Sequence, residues 1–301
     1  MTTPKTATLE VTLTNNHSRV RRWMRALRDF IRYKPVGAFG LAVILALLVT
    51  AAIPGVIAPS HYSDFDLLNR FQDPSSSHIF GTDNQGRDVF SRVVYGARTS
   101  VTIGLGVVLL AAVFSTTIGL VSGYYGKLPD LIIQRLIDIW QAFPGLIFII
   151  FLLSIFSPSQ LTLIVALGVL FTAGSSRVIR SSVLQVKQGL FVEAARSTGA
   201  SDTRILLRHI LPNIAPILII NASVQIGAVI LVETSLSFLG FGIPPPFPSW
   251  GGMLQAAQPD MQQHPYLALF PGLAIVLTVY SFNMLGDALR DVLDPRMRGM
   301  R

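Results

Sequence analysis

The chain has 301 residues, of which 51% are hydrophobic and only 13% are charged. Soluble domains carry about 25% charged residues, so this composition argues against a soluble protein and favours one that crosses a membrane several times. The formal net charge is +8, but the basic residues lie in tails and loops between apolar runs, a distribution typical of membrane topology rather than of nucleic-acid binding. The sequence contains no cysteine, which excludes disulfides and thiolate metal sites.

Apolar runs predict an all-α integral membrane protein, because about 20 apolar residues are needed to cross the roughly 30 Å of hydrocarbon. Six runs qualify or nearly qualify: 36–58, 101–122, 131–156, 161–179, 214–238 and 267–285. The fourth is the weakest, since it ends in Ser175, Ser176 and Arg177.

The placement of Lys and Arg predicts the orientation. They are concentrated in the segments 19–34, 177–208 and 290–301. An even number of spans puts these segments on one side, and the positive-inside rule makes that side cytoplasmic. The chain then divides into a cytoplasmic tail 1–35, a first span 36–58, an extracytoplasmic loop 59–100, a transmembrane core 101–287 with a cytoplasmic loop 188–212, and a cytoplasmic tail 288–301.

The segment before the first span has an amphipathic pattern. Trp23, Leu27, Phe30 and Ile31 recur near helical spacing, with arginines on the other faces. This pattern predicts a helix on the inner membrane surface. The alternative is a plain run of positive charge that only sets topology.

The polar segment 193–212 lies between two strongly apolar runs and predicts a docking surface for a soluble partner. Gly199 permits the positive φ of a tight turn between two short helices, and Pro212 can begin the next span without losing a hydrogen bond. The alternative is a solvated basic loop. The docking residues expected from the whole pattern are Glu193, Ala194, Ala195, Arg196, Gly199, Ala200, His209, Leu211 and Pro212.

The first residues of this segment suggest how it would dock. Small side chains at Ala194 and Ala195 allow another protein surface to approach closely. Glu193 and Arg196 can fix the register through charge-assisted hydrogen bonds.

A second motif, 80–100, precedes the second span on the predicted outer side. Asp83 and Asp88 can cap the backbone that comes directly after them, and Arg87 lies between them. From Val89 a helix can run into the membrane. The residues alone favour a helix entry with interfacial charge.

Two acidic residues lie in or near spans, where a charge must face a bundle interior or water. Glu233 is expected near the outer end of its helix, as either a path or gate residue or a polar tie between helices. For Asp138 the tie is favoured. Trp140 and Phe143 are candidate path residues, although aromatic residues at such positions more often pack against other helices than contact a ligand.

Three strings resemble a known family: GTDNQGRDVFSRVVYGARTS, EAARSTGASDTRILLRHILPN, and FLGFGIPPPFPSWGGML followed by FNMLGDALRDVLDP. They are similar to the permease subunits of bacterial ATP-binding-cassette (ABC) importers of the dipeptide, oligopeptide and nickel family. The resemblance covers the chain from about residue 30, and His209 is typical of the peptide branch. It implies a type I importer permease with six spans in the bacterial cytoplasmic membrane.

The resemblance also implies partners. These are a homologous second permease, two cytoplasmic ATPase subunits that bind ATP and magnesium, and an extracytoplasmic substrate-binding protein. The segment 193–212 would correspond to the EAA loop that contacts an ATPase, and Asp83, Arg87 and Asp88 would lie near the binding protein. The chain itself contains no Gly-Lys-Ser/Thr phosphate loop and no HExxH spacing, so no ATPase site, cofactor or metal is expected in it.

Three other functions compete with this interpretation. A nickel or glutathione importer of the same family differs only in cargo. A secondary transporter predicts intramembrane charge pairs and repeated halves. The sequence shows few intramembrane charges and no evident repeat. A membrane enzyme is disfavoured because its site motifs are missing.

Overall fold

The computed structural model describes residues 28 and 30–293. Almost all regular structure in that range is helical. The elements in chain order are α1 (Pro35–Ala52), α2 (Pro54–Ile57), a 3-10 turn (Leu67–Asn69), α3 (Val89–Tyr125), α4 (Lys127–Gln141), α5 (Gly145–Ile155), α6 (Gln160–Lys187), α7 (Leu190–Ser197), α8 (Asp202–Arg204), a π-helix (Ile205–Ile210), α9 (Leu211–Phe238), α10 (Trp250–Ala257) and α11 (Tyr266–Leu293). Most of the predicted surface helix 19–34 and of the tail 288–301 lies outside the described residues.

Five helices of the described chain are long and apolar enough to span a membrane: α1, α3, α6, α11 and the continuous helix Asp202–Phe238. The predicted bounds of two spans need correction. α1 ends at Ala52 rather than 58, because Pro54 cannot donate a helical hydrogen bond. α3 begins at Val89, as predicted, where the Asp88 carboxylate accepts from the Ser91 N–H at 2.7 Å, so residues 89–100 of the predicted loop 59–100 belong to this helix.

The predicted third span, 131–156, is not one straight helix. α4 and α5 meet at an angle of 81°. Pro144 lies at the break and is the N-cap of α5. Since proline has no N–H and its ring clashes with the preceding turn, a helix cannot pass through it undisturbed.

The helices α3 and α6 pack side by side in the same direction. Gly106 faces Ile164, and thirteen residues later Gly119 faces Ile179. The approach is close: a Cβ at Gly119 would lie 2.7 Å from Ile179 Cγ2, so only glycine fits there. Because both helices run the same way, the bent pair α4–α5 between them must recross the bundle. This gives six crossings, the upper of the two counts allowed by helix length.

The bundle has two unlike ends. One end, which we call the EAA end, consists of residues 187–211 together with the start of α1 and the end of α11. The opposite end carries the cap, which we define as residues 53–88 and 239–265 and which includes α10. In the cap, Trp250 is 1% exposed and donates from Nε1 to the Val93 carbonyl at 3.0 Å. The Tyr266 hydroxyl donates to the Thr82 carbonyl at 3.0 Å, so both cap segments are fixed to the spans.

Candidate functional site

The segment 193–212 consists of two short helical pieces that continue into a membrane span. α7 ends at Ser197, a turn follows, and α8 leads through the π-helix into α9. The helix from Asp202 to Phe238 is continuous over 37 residues, a rod of about 55 Å at the helical rise of roughly 1.5 Å per residue. A displacement of the segment is therefore passed to α9 through the backbone itself.

Gly199 forms the turn between the two pieces. The predicted positive φ is confirmed at +76°, in the left-handed region that glycine adopts at low cost. The Ala200 N–H donates to the Ala195 carbonyl at 3.0 Å and the Gly199 N–H to the Arg196 carbonyl at 2.9 Å. These two bonds form the Schellman arrangement that ends many helices. The two pieces thus meet at a fixed angle rather than at a free joint.

One side of the segment packs against the bundle. Val192 and Ile205 are fully buried, and burial of such side chains contributes about 1.5–3 kcal/mol each. The segment is therefore anchored, which disfavours a merely solvated loop. The remaining buried members of this cluster are Leu120, Tyr124, Ile179, Val183, Ala195, Ile210 and Ile214.

The exposed side differs in part from the sequence prediction. Glu193, Ala194 and Arg196 are exposed, but Ala195 is 9% exposed and packs inward. Only Ala194 of the two alanines can therefore meet a partner. In the described part of the chain no ion pair joins Glu193 to Arg196; the Arg196 guanidinium instead lies over the Tyr124 ring, 5.3 Å from its centroid.

The rest of the predicted docking residues come after the turn. Ala200 and Leu211 are half-buried against the same apolar cluster. Pro212 is exposed in the first turn of α9. His209 is half-buried in the π-helix, and its carbonyl accepts from Asn213 Nδ2 at 2.6 Å. Their contact with a partner stays a prediction.

Tyr124, at the end of α3, is a contact point that the sequence did not indicate. Its hydroxyl donates to Asp202 Oδ1 at 2.5 Å, and its ring is faced by Arg196 and by the Lys187 ammonium, the latter 5.6 Å away. Lys187 Nζ also donates to the Tyr124 carbonyl at 2.5 Å. Tyr124 thus joins α3 to the end of α6 and to both pieces of the segment. These partners are distant along the chain, so no local pattern indicates them.

Two carboxylates of α4 pair with arginines of α6. Asp130 receives two hydrogen bonds from Arg180, at 2.6 and 2.5 Å, a bidentate geometry that fixes orientation as well as distance. Asp138 pairs with Arg177 at 2.5 Å. The Asp138 pair supports the tie between helices that the sequence favoured.

The aromatic path candidates lie at the α4–α5 bend. The Trp140 ring lies 4.7 Å from the Phe148 ring, edge to face. The Phe143 ring lies 6.0 Å from the same Phe148 ring. Phe143 is nevertheless 58% exposed. Trp140 thus packs against α5, and a path role for Trp140 or Phe143 stays a prediction.

In the cap, Asp83, Arg87 and Asp88 bond to the cap itself. Arg87 Nε donates to Asp83 Oδ2 at 2.7 Å, and Arg92 Nε lies 3.7 Å from the same oxygen. Asp88 pairs with His78 Nδ1 at 3.0 Å, and its side chain is only 4% exposed. These residues shape the surface of the cap, and their contact with a binding protein stays a prediction.

Glu233 lies in α9 toward the cap and is 1% exposed. Its Oε1 accepts from the Ser237 hydroxyl at 2.7 Å, while Oε2 and the Thr234 hydroxyl have no hydrogen-bond partner among the described residues. A buried polar atom without a partner is costly. The arrangement fits a group whose partner arrives in another conformation or from outside the chain, but the path or gate role stays a prediction.

The sequence is similar to proteins of one transport family. Residues 115–299 match the family described as the inner membrane component of binding-protein-dependent transport systems. The chain is 38% identical over 284 residues to the dipeptide transport system permease protein DppC of Alkalihalophilus pseudofirmus, covering 94% of this chain and 93% of that protein. It is 42% identical over 279 residues to the glutathione transport system permease protein GsiD of Pectobacterium atrosepticum, covering 92% of each.

Among solved structures, the fold resembles a chain from inward-facing conformations of the MetNI methionine ABC transporter. The TM-score is 0.57 at 17% identity, over 67% of this chain and 96% of that chain. At this identity the likeness concerns the fold alone. It confirms the predicted type I importer permease architecture.

A first prediction isolates the backbone constraint at Gly199. No heavy atom lies within 4 Å of a Cβ built there, so Gly199→Ala adds no clash and tests only the left-handed φ, which costs an alanine about 1–2 kcal/mol. We expect a lower midpoint of thermal unfolding in detergent. Gly272→Ala is the matched control, since that site is equally open but helical with no positive φ; it should leave the midpoint unchanged or raise it. Equal midpoints for Gly199→Ala and the wild type would contradict the turn geometry.

A second prediction concerns the Tyr124 hydroxyl. Tyr124→Phe keeps the ring but removes the bond to Asp202. A hydrogen bond to a charged group contributes roughly 1.5–3 kcal/mol, so amide hydrogen exchange in residues 198–210 should become about tenfold faster or more. The control is Tyr125→Phe, because Tyr125 is 47% exposed; it should leave exchange unchanged. If Tyr124→Phe exchanges the amides of residues 198–210 no faster than Tyr125→Phe does, the Tyr124 hydroxyl does not hold the segment.

Proposed function

Because the chain belongs to the family of inner membrane components of binding-protein-dependent transport systems, we propose that it forms half of the membrane path of an ATP-driven importer for di- or oligopeptides. The observation that carries the proposal is the likeness to the dipeptide permease over nearly the whole of both chains. Glutathione is a second candidate, since a glutathione permease is similarly close. Glutathione is itself a tripeptide, so both candidates share one cargo class.

The chain works in an assembly. It pairs with a homologous permease, two ATPase subunits bind ATP and magnesium on the cytoplasmic side, and a binding protein delivers the cargo on the other side. Support comes from the sequence, which has no phosphate loop of its own. Support also comes from the EAA end, where Glu193, Ala194 and Arg196 are exposed on an anchored helix. The chain contributes movement and a path, and no covalent chemistry.

The displacement that an ATPase would impose on α7 is transmitted along the backbone. An ATPase that displaces α7 also displaces α8 and α9, because the turn at Gly199 is held by two hydrogen bonds. Tyr124 passes the same displacement to α3. The energy of ATP binding is thereby used to shift the bundle between two states that expose the path to opposite sides.

At its far end, α9 meets the cap. A Cβ at Gly251 would lie 2.5 Å from the Thr234 carbonyl oxygen and 2.7 Å from Ser237 Cβ. Such close packing of α10 on α9 transmits small movements, since neither helix has room to slip. Glu233 lies beside this contact in sequence. The proposed stroke therefore links the ATPase side to the side on which the binding protein docks.

The third prediction tests this function with purified components. The isolated chain should hydrolyse no ATP. The complete complex in proteoliposomes, supplied with ATP and the binding protein, should take up radiolabelled trialanine in preference to nickel ions, with glutathione measured in parallel.

Two outcomes would contradict the proposal. ATP turnover by the uncontaminated chain would mean that it is not a pure transport subunit. Uptake of nickel without uptake of trialanine or glutathione would retain the importer but remove the peptide cargo.

A further inference from the structure

A groove of about 780 Å³ opens beside the cap. One side is a face of α3, formed by Tyr95, Arg98, Thr99 and Thr102. The rest of the lining comes from Ala52 at the end of α1, residues 53–56, Gln160 at the start of α6, and the cap residues His61, Tyr62, Phe247 and Pro248. The volume lies within the usual range of small-molecule sites, about 300–1,000 Å³.

The α3 face is unusual for a membrane span. Four polar or amphipathic side chains recur at helical spacing near the cap end of α3, whereas residues 103–114 of the same helix are all apolar or glycine, and Arg98 and Thr102 are exposed. A face directed at acyl chains would be apolar. This one instead faces other parts of the same protein across the groove.

Arg98 is the exceptional residue of the groove. Its carbonyl accepts from the Thr102 hydroxyl at 2.7 Å, but its guanidinium has no ion pair or hydrogen bond with any described residue. By contrast Arg92, six residues earlier on α3, donates to the Tyr62 carbonyl at 3.1 Å and lies near Asp83. None of the described side chains that line the groove is acidic. The groove therefore presents an unbalanced positive charge with five N–H donors.

The groove that Arg98 lines also has an aromatic wall. The rings of Tyr62 and Tyr95 are 5.0 Å apart, edge to face, and the Phe247 ring is 5.9 Å from Tyr62. Mutual ring contacts fix such a wall before any ligand arrives. Thr99 and Gln160 add neutral hydrogen-bonding groups. The combination suits a small anion with an amide backbone and an apolar body.

We propose that this groove binds the terminal carboxylate of a short peptide, held by Arg98, with Tyr62 and Tyr95 as the wall along which the peptide lies. Arg presents a planar fork that matches a carboxylate through two parallel hydrogen bonds. The inference rests on the proposed function, since it takes a peptide as the cargo. It adds a peptide site on this chain at the cap, separate from the binding protein.

The absence of cysteine allows a direct test. In the complete complex in phosphatidylcholine nanodiscs, Thr102→Cys places one thiol in the groove, and its rate of reaction with a charged thiol reagent reports occupancy. Trialanine at about ten times its dissociation constant should slow this reaction roughly tenfold. Trialanine amide, which lacks the carboxylate, should have little effect.

Variants of Arg98 assign the effect. In the Thr102→Cys background, Arg98→Gln should raise the dissociation constant of trialanine about tenfold to a hundredfold, because charge-assisted hydrogen bonds are lost. The same trialanine concentration should then slow labelling only about twofold or less. Arg98→Lys keeps the charge and should retain part of the protection. Arg70→Gln is the matched control, because Arg70 is an exposed cap arginine outside the groove; it should retain full protection. A Ser76→Cys thiol, elsewhere on the cap, should not be protected.

Several results would overturn the inference: no protection by trialanine, equal protection by the amide, or full protection in Arg98→Gln. Slower labelling on addition of phosphatidylglycerol, without an effect of peptide, would make the groove a lipid headgroup site instead. Peptide uptake by the unmodified complex is measured separately. Uptake without protection rejects only this site, whereas absence of any peptide uptake rejects the proposed cargo.

Discussion

The close parallel packing of α3 against α6 is the constraint on which the rest of the structure depends. It is set by glycines such as Gly119, where any side chain would collide with Ile179. In a membrane, helices gain little from apolar contact alone, so small residues that let backbones approach determine which helices pair. Since two parallel neighbours cannot be joined by a short turn, the chain must recross between them. The bent pair α4–α5 makes that crossing.

The same packing brings the functional parts together. Because α3 and α6 are parallel, their last residues lie on the same side of the bundle. Tyr124 at the end of α3 and Lys187 at the end of α6 are therefore in contact, and the segment 193–212 packs directly onto them. The segment is thus held by burial on one face, by Tyr124 at its centre and by α9 in its backbone. An element fixed in three ways moves as a unit with the bundle, which is what transmission of a mechanical stroke requires.

The sequence predicted the features that depend on local composition. Long apolar runs indicated the spans, because hydrocarbon thickness sets their length. The glycine at 199 indicated a left-handed turn, because few other residues adopt that φ. The resemblance to a transport family rested on three sequence motifs rather than on hydrophobic patterning or charge. The similarity to known permeases confirmed the family.

Features that depend on distant contacts were not predicted. The sharp bend at Pro144 did not follow from the apolar run 131–156, because the presence of a proline does not by itself fix the angle between two helices. α10 was missed because it is short, and its place depends on Trp250 reaching Val93 across the fold. Ala194 and Ala195 look alike in sequence, and only packing onto Val192 and Ile205 turns one outward and the other inward. The same holds for Arg98, whose lack of a partner is visible only in three dimensions.

The central claim is that the exposed face of α7 contacts an ATPase subunit, and neighbouring alanines allow it to be tested directly. In the assembled complex, Ala194→Cys carries an exposed thiol, whereas Ala195→Cys carries a thiol turned into the bundle. A short thiol-directed photo-crosslinker on residue 194 should join this chain to an ATPase subunit, in a yield that changes when ATP is added, and residue 195 should give far less product. If residue 194 is labelled fully but yields no ATPase product, while a crosslinker on Ser76→Cys in the cap does, the account is contradicted.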